Sequence, residues 1–337
     1  MLPMVSTLRL LSRRAALLAA VAGTVAAKAH GETPVAELDA EAFILGDGTR
    51  LPYRAWLPGA RWNGPPDAVI LALHGFNDSR DAWELPAPIF AHAGMAVYAC
   101  DQRGFGGTAA RGSWEGSDRM QRDAASIATL LRARHPGSRL VLMGESMGGA
   151  VLLAMAARDF APPDAQYVLL APAVWGRAGM NLIYRTGLWF AANLVPNLSA
   201  TRPPPGVRIV PTDNMDALIS LSRNPLTVRN TRFGSIAGLV DLMDDALAAA
   251  AHFPATGLFL YGGEDMLIPK AATRATWRAL PNAQATRAFY RNGHHLLLRD
   301  RGRIIPINDI IAWIRAPQSP LPSGADQAAN AFLSADG

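Results

Sequence analysis

The chain has 337 residues, of which 50% are hydrophobic and 18% charged, so it can form a sizeable core and wholesale disorder is excluded. Its single cysteine, Cys100, excludes an internal disulfide framework and a cysteine-based zinc cluster. The formal net charge of +5 arises mostly from four basic residues in the first 29 positions, so the remainder gives no argument for nucleic-acid binding.

Residues 1–29 have the pattern of an export signal. Arg9, Arg13 and Arg14 form a basic segment, residues 15–27 are small or apolar, and residues 27–29 offer a small-x-small cleavage pattern. The apolar run is shorter than the about 20 residues of a membrane span. The pattern fits both the general secretory and the twin-arginine route. We expect a protein that is exported, periplasmic or secreted, or one held at a membrane by an uncleaved signal, with Cys100 buried in its core.

Strand-like and helical segments alternate through most of the remaining chain. This alternation predicts an α/β fold with a mostly parallel sheet covered by helices on both faces. We assign residues 30–171 to the first part of this core and residues 252–316 to the second. The strand-like runs cover residues 42–45, 53–57, 68–73, 96–100, 140–143, 167–170, 258–261 and 285–290.

Two regions interrupt the alternation. Residues 172–251 carry helical and loop signals without a clear strand, and their first half is rich in large apolar side chains, including Trp189 and Leu194. We interpret this region as a helical insertion. Residues 317–337 are rich in Ala, Pro, Ser and Gly and predict a disordered tail.

The segment Gly-Glu-Ser-Met-Gly at 144–148 matches the Gly-x-Ser-x-Gly pattern of a nucleophile elbow. It follows an apolar strand and opens a helix, which is the context that this motif requires. The sharp turn would expose the Ser146 hydroxyl, and the helix N-terminus behind it would favour developing negative charge. The pattern therefore predicts that Ser146 is a catalytic nucleophile.

A serine nucleophile needs a base and an acid. In proteins with a nucleophile elbow, the three residues occur along the chain in the order serine, acid, histidine. Glu264 and Asp265 both follow a predicted strand, and we favour Asp265 because an Asp followed by x-x-Ile-Pro is the more usual arrangement. His294 and His295 follow the next strand, and adjacent side chains point in different directions. One of them is therefore the predicted general base.

The tetrahedral intermediate of acyl transfer needs two backbone N–H donors. The residue after the nucleophile, Met147, would supply one of them. The loop that begins with His74-Gly75 after an earlier strand would supply the other, from Phe76. We interpret His74 itself as a structural residue of this loop.

These motifs, together with Asp-Gln-Arg-Gly-Phe-Gly at 101–106 and Gly-Gly-Glu-Asp at 262–265, resemble the α/β-hydrolases, and among them the monoacylglycerol lipase and bacterial lysophospholipase branch. The resemblance covers residues 42–316 and implies an eight-stranded, mostly parallel sheet flanked by helices, with a helical cap. It favours His295 as the base, since the catalytic histidine of that branch is the second residue after a glycine. It also implies an acyl tunnel in the cap, to which we assign Trp189 and Leu194, and membrane contact through the cap.

The predicted function is hydrolysis of carboxylic esters of acyl lipids by a serine hydrolase, through an acyl-enzyme. The resemblance implies a small-molecule acyl ester as substrate and no metal or organic cofactor. The alternatives are a serine acyltransferase or peptidase on the same fold and a non-catalytic lipid-binding protein. The complete set of serine, acid and histidine argues against the binding protein.

Overall fold

The computed structural model describes residues 37–38, 41–59, 62–200, 209–254, 256–283 and 285–335. The export signal predicted for residues 1–29 lies outside these ranges. Within them, no helix combines the length and the apolar character that crossing a membrane requires.

The centre of the fold is a nine-stranded sheet with the strand order β1-β2-β3-β5-β4-β6-β7-β10-β11. The pairs β1–β2, β2–β3 and β3–β5 are antiparallel, whereas all other neighbouring strands of this sheet are parallel. The strands of the described chain, including the separate antiparallel pair β8-β9, are β1 (Glu37–Leu38), β2 (Ala42–Ile44), β3 (Arg50–Trp56), β4 (Ala68–Leu73), β5 (Met95–Cys100), β6 (Arg139–Glu145), β7 (Gln166–Leu170), β8 (Ser199–Ala200), β9 (Thr231–Arg232), β10 (Thr256–Gly262) and β11 (Ala285–Tyr290).

Helices cover both faces of this sheet. One face carries α2, α3, α6, α7 and α9, and the other carries α1 and α8. The helices are α1 (Ala87–His92), α2 (Ser117–Arg134), α3 (Met147–Ala156), α4 (Leu182–Leu194), α5 (Met215–Arg223), α6 (Phe233–Ala250), α7 (Lys270–Ala279), α8 (Ile304–Arg315) and α9 (Ala325–Ser334).

The central strands explain why the apolar runs of the sequence lie in the middle of the sheet. All six residues of β4 are buried, with Val69 and Leu71 in the core of one face and Ile70 and Ala72 in the core of the other. Continuous apolar sequence is typical of strands covered on both faces. The expectation of an α/β-hydrolase fold is confirmed, and the two-residue strand β1 adds a ninth strand at the antiparallel edge.

The predicted insertion at 172–251 contains α4, α5, the short pair β8-β9 and α6. Its end differs from the expected boundary because α6 also belongs to the core. Leu242, Ala246 and Ala250 are fully buried in the core of the sheet face that α6 covers. This helix therefore serves as the crossover connection between β7 and β10, which are parallel neighbours.

The expectation of a disordered tail from Pro317 is wrong for the described residues up to 335. Helix α9 packs on the sheet, and the ring of Phe332 stacks on that of Phe289 in β11 with 4.4 Å between centroids. Leu321 and Ala325 are buried in the core of the opposite face. A few well-spaced apolar side chains therefore order a segment whose average composition is that of a loop.

Candidate active site

Ser146 occupies a strained turn between β6 and α3. Its backbone has φ 54° and ψ −113°, and its N–H donates to the Leu170 carbonyl at 2.9 Å. A Cβ atom on Gly144 would come within 2.5 Å of the Gly148 backbone, and one on Gly148 within 2.5 Å of the Leu73 carbonyl oxygen. Only glycine permits these approaches, which explains both glycines of the motif.

Asp265 and His295 form a buried pair. Asp265 follows β10 and His295 follows β11, so both lie at the same edge of the parallel sheet as Ser146. The Asp265 Oδ2 atom lies 2.8 Å from His295 Nδ1. The other oxygen, Oδ1, accepts hydrogen bonds from the N–H groups of Leu267 and Ile268 at 2.7 and 2.9 Å. The geometry thus selects Asp265 over the exposed Glu264.

The loop after β4 carries Phe76. His74 is fully buried and fixes the loop, because Nδ1 lies 2.7 Å from the Gly75 carbonyl and Nε2 accepts from the Gln102 N–H at 3.0 Å. Burial lowers the pKa of His74, consistent with a structural neutral imidazole. Asn77 adopts a φ of 64°, and its carbonyl accepts a hydrogen bond from the Val228 N–H of the cap region at 2.9 Å.

The N–H groups of Phe76 and Met147 have the availability that oxyanion donors require. Met147 is the first residue of α3, where N–H groups have no intrahelical acceptor. Within the described part of the chain, neither of the two N–H groups donates to a backbone or side-chain acceptor. Both N–H groups flank the turn at Ser146, because a Cβ atom placed on Gly75 would lie 3.4 Å from the Ser146 Cβ.

Ser146, His295 and Phe76 line one cavity of about 400 Å³. Its remaining wall is largely apolar and comes from the cap region and the strand-end loops. The large apolar side chains in this wall are Trp175, Leu221, Leu239, Met243, Leu267, Ile268 and Leu296.

The structure does not bring Trp189 and Leu194 to this cavity. Both lie on α4, with 60% and 73% of their surfaces exposed, and no residue of α4 is buried. The acyl-binding assignment of these two residues is therefore corrected. The apolar wall of the cavity comes instead from Trp175, at the start of the insertion, and from Leu239 and Met243 on α6 near its end.

A buried ion network beneath the site escaped the sequence analysis. Arg299 Nη2 donates to Asp78 Oδ2 at 2.5 Å and to Glu145 Oε1 at 2.7 Å. Burial raises the pKa of the Glu145 carboxyl, against the opposing effect of the guanidinium. Burial also acts to lower the pKa of Arg299, but the two carboxylates outweigh it and raise that pKa.

His294 is separate from this chemistry. Its N–H donates to Asp300 Oδ2 at 2.8 Å, and its Nδ1 lies 3.4 Å from the same oxygen. The ligand-type atoms of Asp213, His294 and Asp300 lie within 4.8 Å of one another, a spacing that could hold a metal ion. The Asp300 oxygens, however, already accept from the Thr212 hydroxyl, at 2.7 Å, and from His294. This group serves as the scaffold of the loop that carries His295.

Known proteins resemble the chain over most of its length. The monoacylglycerol lipase of Mycolicibacterium smegmatis (strain ATCC 700084 / mc(2)155) is 25% identical over 279 residues, which cover 79% of this chain and 93% of that protein. A soluble variant of the Saccharomyces cerevisiae monoglyceride lipase, solved with a substrate analogue, superposes with a TM-score of 0.66 at 19% identity and covers 84% of this chain and 96% of that one.

The Paleococcus ferrophilus monoacylglycerol lipase has a TM-score of 0.64 at 19% identity and covers 78% of this chain and 98% of its own. At these identities, the structural likeness supports the fold alone. The sequence profile of the family described as serine aminopeptidase, S33, matches residues 64–302. This segment includes Ser146, Asp265 and His295. The chain therefore belongs to the serine aminopeptidase S33 family and has the α/β-hydrolase fold.

Proposed function

We propose that the chain is a serine hydrolase that cleaves carboxylic esters of acyl lipids through an acyl-enzyme. The observation that carries this proposal is the convergence of Ser146 and the Asp265–His295 pair on one largely apolar cavity. The lipase names of the relatives support the ester class.

In the proposed mechanism, Ser146 attacks the acyl carbonyl while His295 takes its proton. Asp265 holds His295 with Nδ1 protonated, which leaves Nε2 unprotonated and able to act as the base for Ser146 in the cavity that both residues line. The N–H groups of Phe76 and Met147 stabilise the oxyanion. His295 then protonates the leaving alcohol, and the same residue activates the water that hydrolyses the acyl-enzyme. No step requires a redox group.

The acyl chain would occupy the apolar wall of the cavity. Met243 and Leu239 lie on α6, and Trp175 lies on the segment between β7 and α4, so these three residues approach the cavity from the cap side. A cavity of about 400 Å³ with few polar groups is of the size that binds small apolar ligands. Monoacylglycerols and lysophospholipids are the substrate classes that we favour.

Helix α4 is the surface that we propose for contact with a lipid bilayer. More than half of the surface is exposed for each of the apolar side chains Leu182, Ile183, Tyr184, Trp189, Phe190 and Leu194. Among the described residues, none covers this side of the helix, and such an exposed apolar patch is typical of an interaction surface. A lipid substrate makes a bilayer the fitting partner.

The bilayer proposal is tested by vesicle flotation. Ile183→Ser with Leu194→Ser should reduce the fraction of protein that floats with phosphatidylcholine vesicles, because it removes two of the most exposed apolar side chains. Leu57→Ser is the matched control, since Leu57 is 56% exposed at the end of β3. Equal flotation of all three proteins would refute the assignment.

A peptidase is the second candidate, since the family description names an aminopeptidase. An amine-binding subsite needs unpaired carboxylates beside the nucleophile. Asp78, Asp81 and Glu84 do line a neighbouring cavity. However, Asp78 pairs with Arg299, and Arg54 binds Asp81 and Glu84 at 2.9 and 2.7 Å. Because an arginine already binds each of these three carboxylates, we favour the ester hydrolase.

The deciding experiment is hydrolysis of monoacylglycerols, lysophospholipids and aminoacyl anilides by the wild-type chain and by Ser146→Ala. We expect ester cleavage that Ser146→Ala abolishes, with anilides left intact. Met243→Trp should shorten the acyl site and reduce long-chain activity, while short esters are spared. Leu57→Ser, an exposed position outside both α4 and the cavity lining, is the control and should change neither. Cleavage of anilides alone would replace the proposal with the peptidase.

We further propose, from residues 1–29, that the chain is exported. Cell fractionation of a bacterial host that expresses the full chain tests this, with the protein expected outside the cytoplasm. Replacing Arg13 and Arg14 by lysines distinguishes the routes, because twin-arginine export should fail and general secretion should persist.

A further inference from the structure

We propose that Arg299 is a positioning residue that fixes the three loops of the active site relative to one another. The inference rests on the proposed function, because the loops it joins carry the nucleophile, the base and one oxyanion donor. Arg299 follows His295 by four positions, Glu145 precedes Ser146, and Asp78 follows Phe76 by two positions. One guanidinium nitrogen, Nη2, bonds to both carboxylates.

The contacts around the guanidinium show how Arg299 fixes the positions of these loops relative to one another. A Cβ on Gly75 would lie 3.4 Å from the Ser146 Cβ and 3.7 Å from Glu145 Oε1, so the oxyanion loop rests directly on the elbow. The Arg299 N–H donates to the Leu296 carbonyl at 2.8 Å, which closes a tight turn just after His295. Displacement of the guanidinium would therefore be felt at all three loops.

Burial makes this network rigid. Arg299, Asp78 and Glu145 are only 6%, 6% and 4% exposed. Charge-assisted hydrogen bonds are strong where water is excluded, and removal of one partner leaves buried charge uncompensated. Here the loss of Arg299 would leave two carboxylates facing each other. They would separate or take up protons, and either response moves the oxyanion loop relative to the elbow.

The effect on catalysis follows from the sensitivity of acyl transfer to the positions of the reacting groups. A shift of about 1 Å in a reacting group costs on the order of 10²-fold in rate. Because Arg299 is not among the residues that line the cavity of Ser146, binding of a short soluble ester depends on it much less than the attack geometry does. We therefore expect Arg299→Ala to lower kcat about 10²-fold and to leave KM for a short ester within about twofold.

The test compares Arg299→Ala and Arg299→Lys with Arg103→Ala. Arg103 is the matched control, because its guanidinium is also 6% exposed and also bonds to two carboxylates. These belong to Asp47, in the turn between β2 and β3, and to Asp123 in α2, and neither element carries a proposed catalytic group. Four quantities are measured: kcat and KM on a short ester, the rate at which a fluorophosphonate labels Ser146, and Tm.

We expect both Arg→Ala variants to lower Tm, but only Arg299→Ala to lower kcat and the labelling rate at temperatures well below its Tm. Arg299→Lys retains the charge and should fall between wild type and Arg299→Ala. Methylguanidinium, at concentrations far below denaturing ones, should partly restore kcat to Arg299→Ala, whereas NaCl at equal ionic strength should not.

Wild-type kcat in a folded Arg299→Ala protein, or an equal loss in Arg103→Ala, would overturn the assignment. If Arg299→Ala does not fold, Arg299→Lys decides: a fall in kcat at near-wild-type Tm supports positioning, and unchanged kcat refutes it. A wild-type chain that neither labels nor hydrolyses esters would instead refute the proposed function, on which this inference depends.

Discussion

Replacement of Asp265 by Asn tests the proposed charge arrangement with the smallest change in shape. The Oδ1 atom of Asp265 accepts two backbone N–H bonds, and the amide oxygen of Asn can keep both. The amide NH₂ must then face His295 Nδ1, which in the wild-type chain lies 2.8 Å from the carboxylate oxygen Oδ2. A donor at this position requires Nδ1 to be unprotonated, which places the proton on Nε2. The imidazole can then no longer accept the Ser146 proton.

The expected magnitude follows from this tautomer change. In serine hydrolysis a wrong tautomer of the base costs about 10⁴-fold in kcat. That factor corresponds to about 5.5 kcal/mol of activation free energy. Folding should change little, because one hydrogen bond is rearranged and none is left without a partner, an effect on the order of 1 kcal/mol.

Two quantities are measured for each protein. They are kcat on a short ester and the free energy of unfolding from urea denaturation. Glu264→Gln is the control, since this neighbouring acid is exposed and competed with Asp265 in the sequence. Near-wild-type kcat in Asp265→Asn, or an equal loss in Glu264→Gln, would refute the proposed role. A large loss of stability with proportionate loss of activity would also count against it.

Two further predictions concern stability. Phe332→Ala should lower the free energy of unfolding by about 3–5 kcal/mol, because a buried aromatic ring is removed from α9; the half-buried neighbour Leu333→Ala should cost less, and a cost below about 1 kcal/mol for Phe332→Ala would contradict a packed tail. Burial lowers the pKa of His74 from its ordinary 6.5, so below that pH the unfolded chain binds a proton that the folded chain does not. Stability should therefore decline as pH falls through 6.5, by up to about 1.4 kcal/mol per pH unit, until the lowered pKa of the folded state is reached. His74→Gln should remove this part of the slope and the exposed His92→Gln should not, as urea denaturation between pH 5 and 7 would show.

The sheet was predictable because its central strands are buried on both faces. A strand such as β4 can carry no charged residue, so its apolar run stands out even in one sequence. The tail was not predictable by the same rule. Its order depends on a few side chains, Phe332 above all, that find partners on β11 and α7. Average composition does not record such spacing.

The nucleophile motif was the most informative local signal, because the strained turn at Ser146 demands glycines at fixed positions. The apolar wall of the cavity was assigned to the wrong residues for a physical reason. Hydrophobicity shows that a helix carries apolar side chains but not whether they face a cavity or solvent. Helix α4 directs Trp189 outward, whereas the less conspicuous Met243 of α6 lines the cavity.

The buried network illustrates a different limit. Arg299 is 221 positions from Asp78 and 154 from Glu145, so no local pattern joins them. The strand order, however, brings the carboxyl ends of β4, β6 and β11 to one edge of the sheet. A charged side chain beside each motif, when it is as buried as these three are, needs a partner of opposite sign within reach. Two acids and one arginine meet this requirement only if they lie together, so the charges flanking the three motifs predict one another once the topology is known.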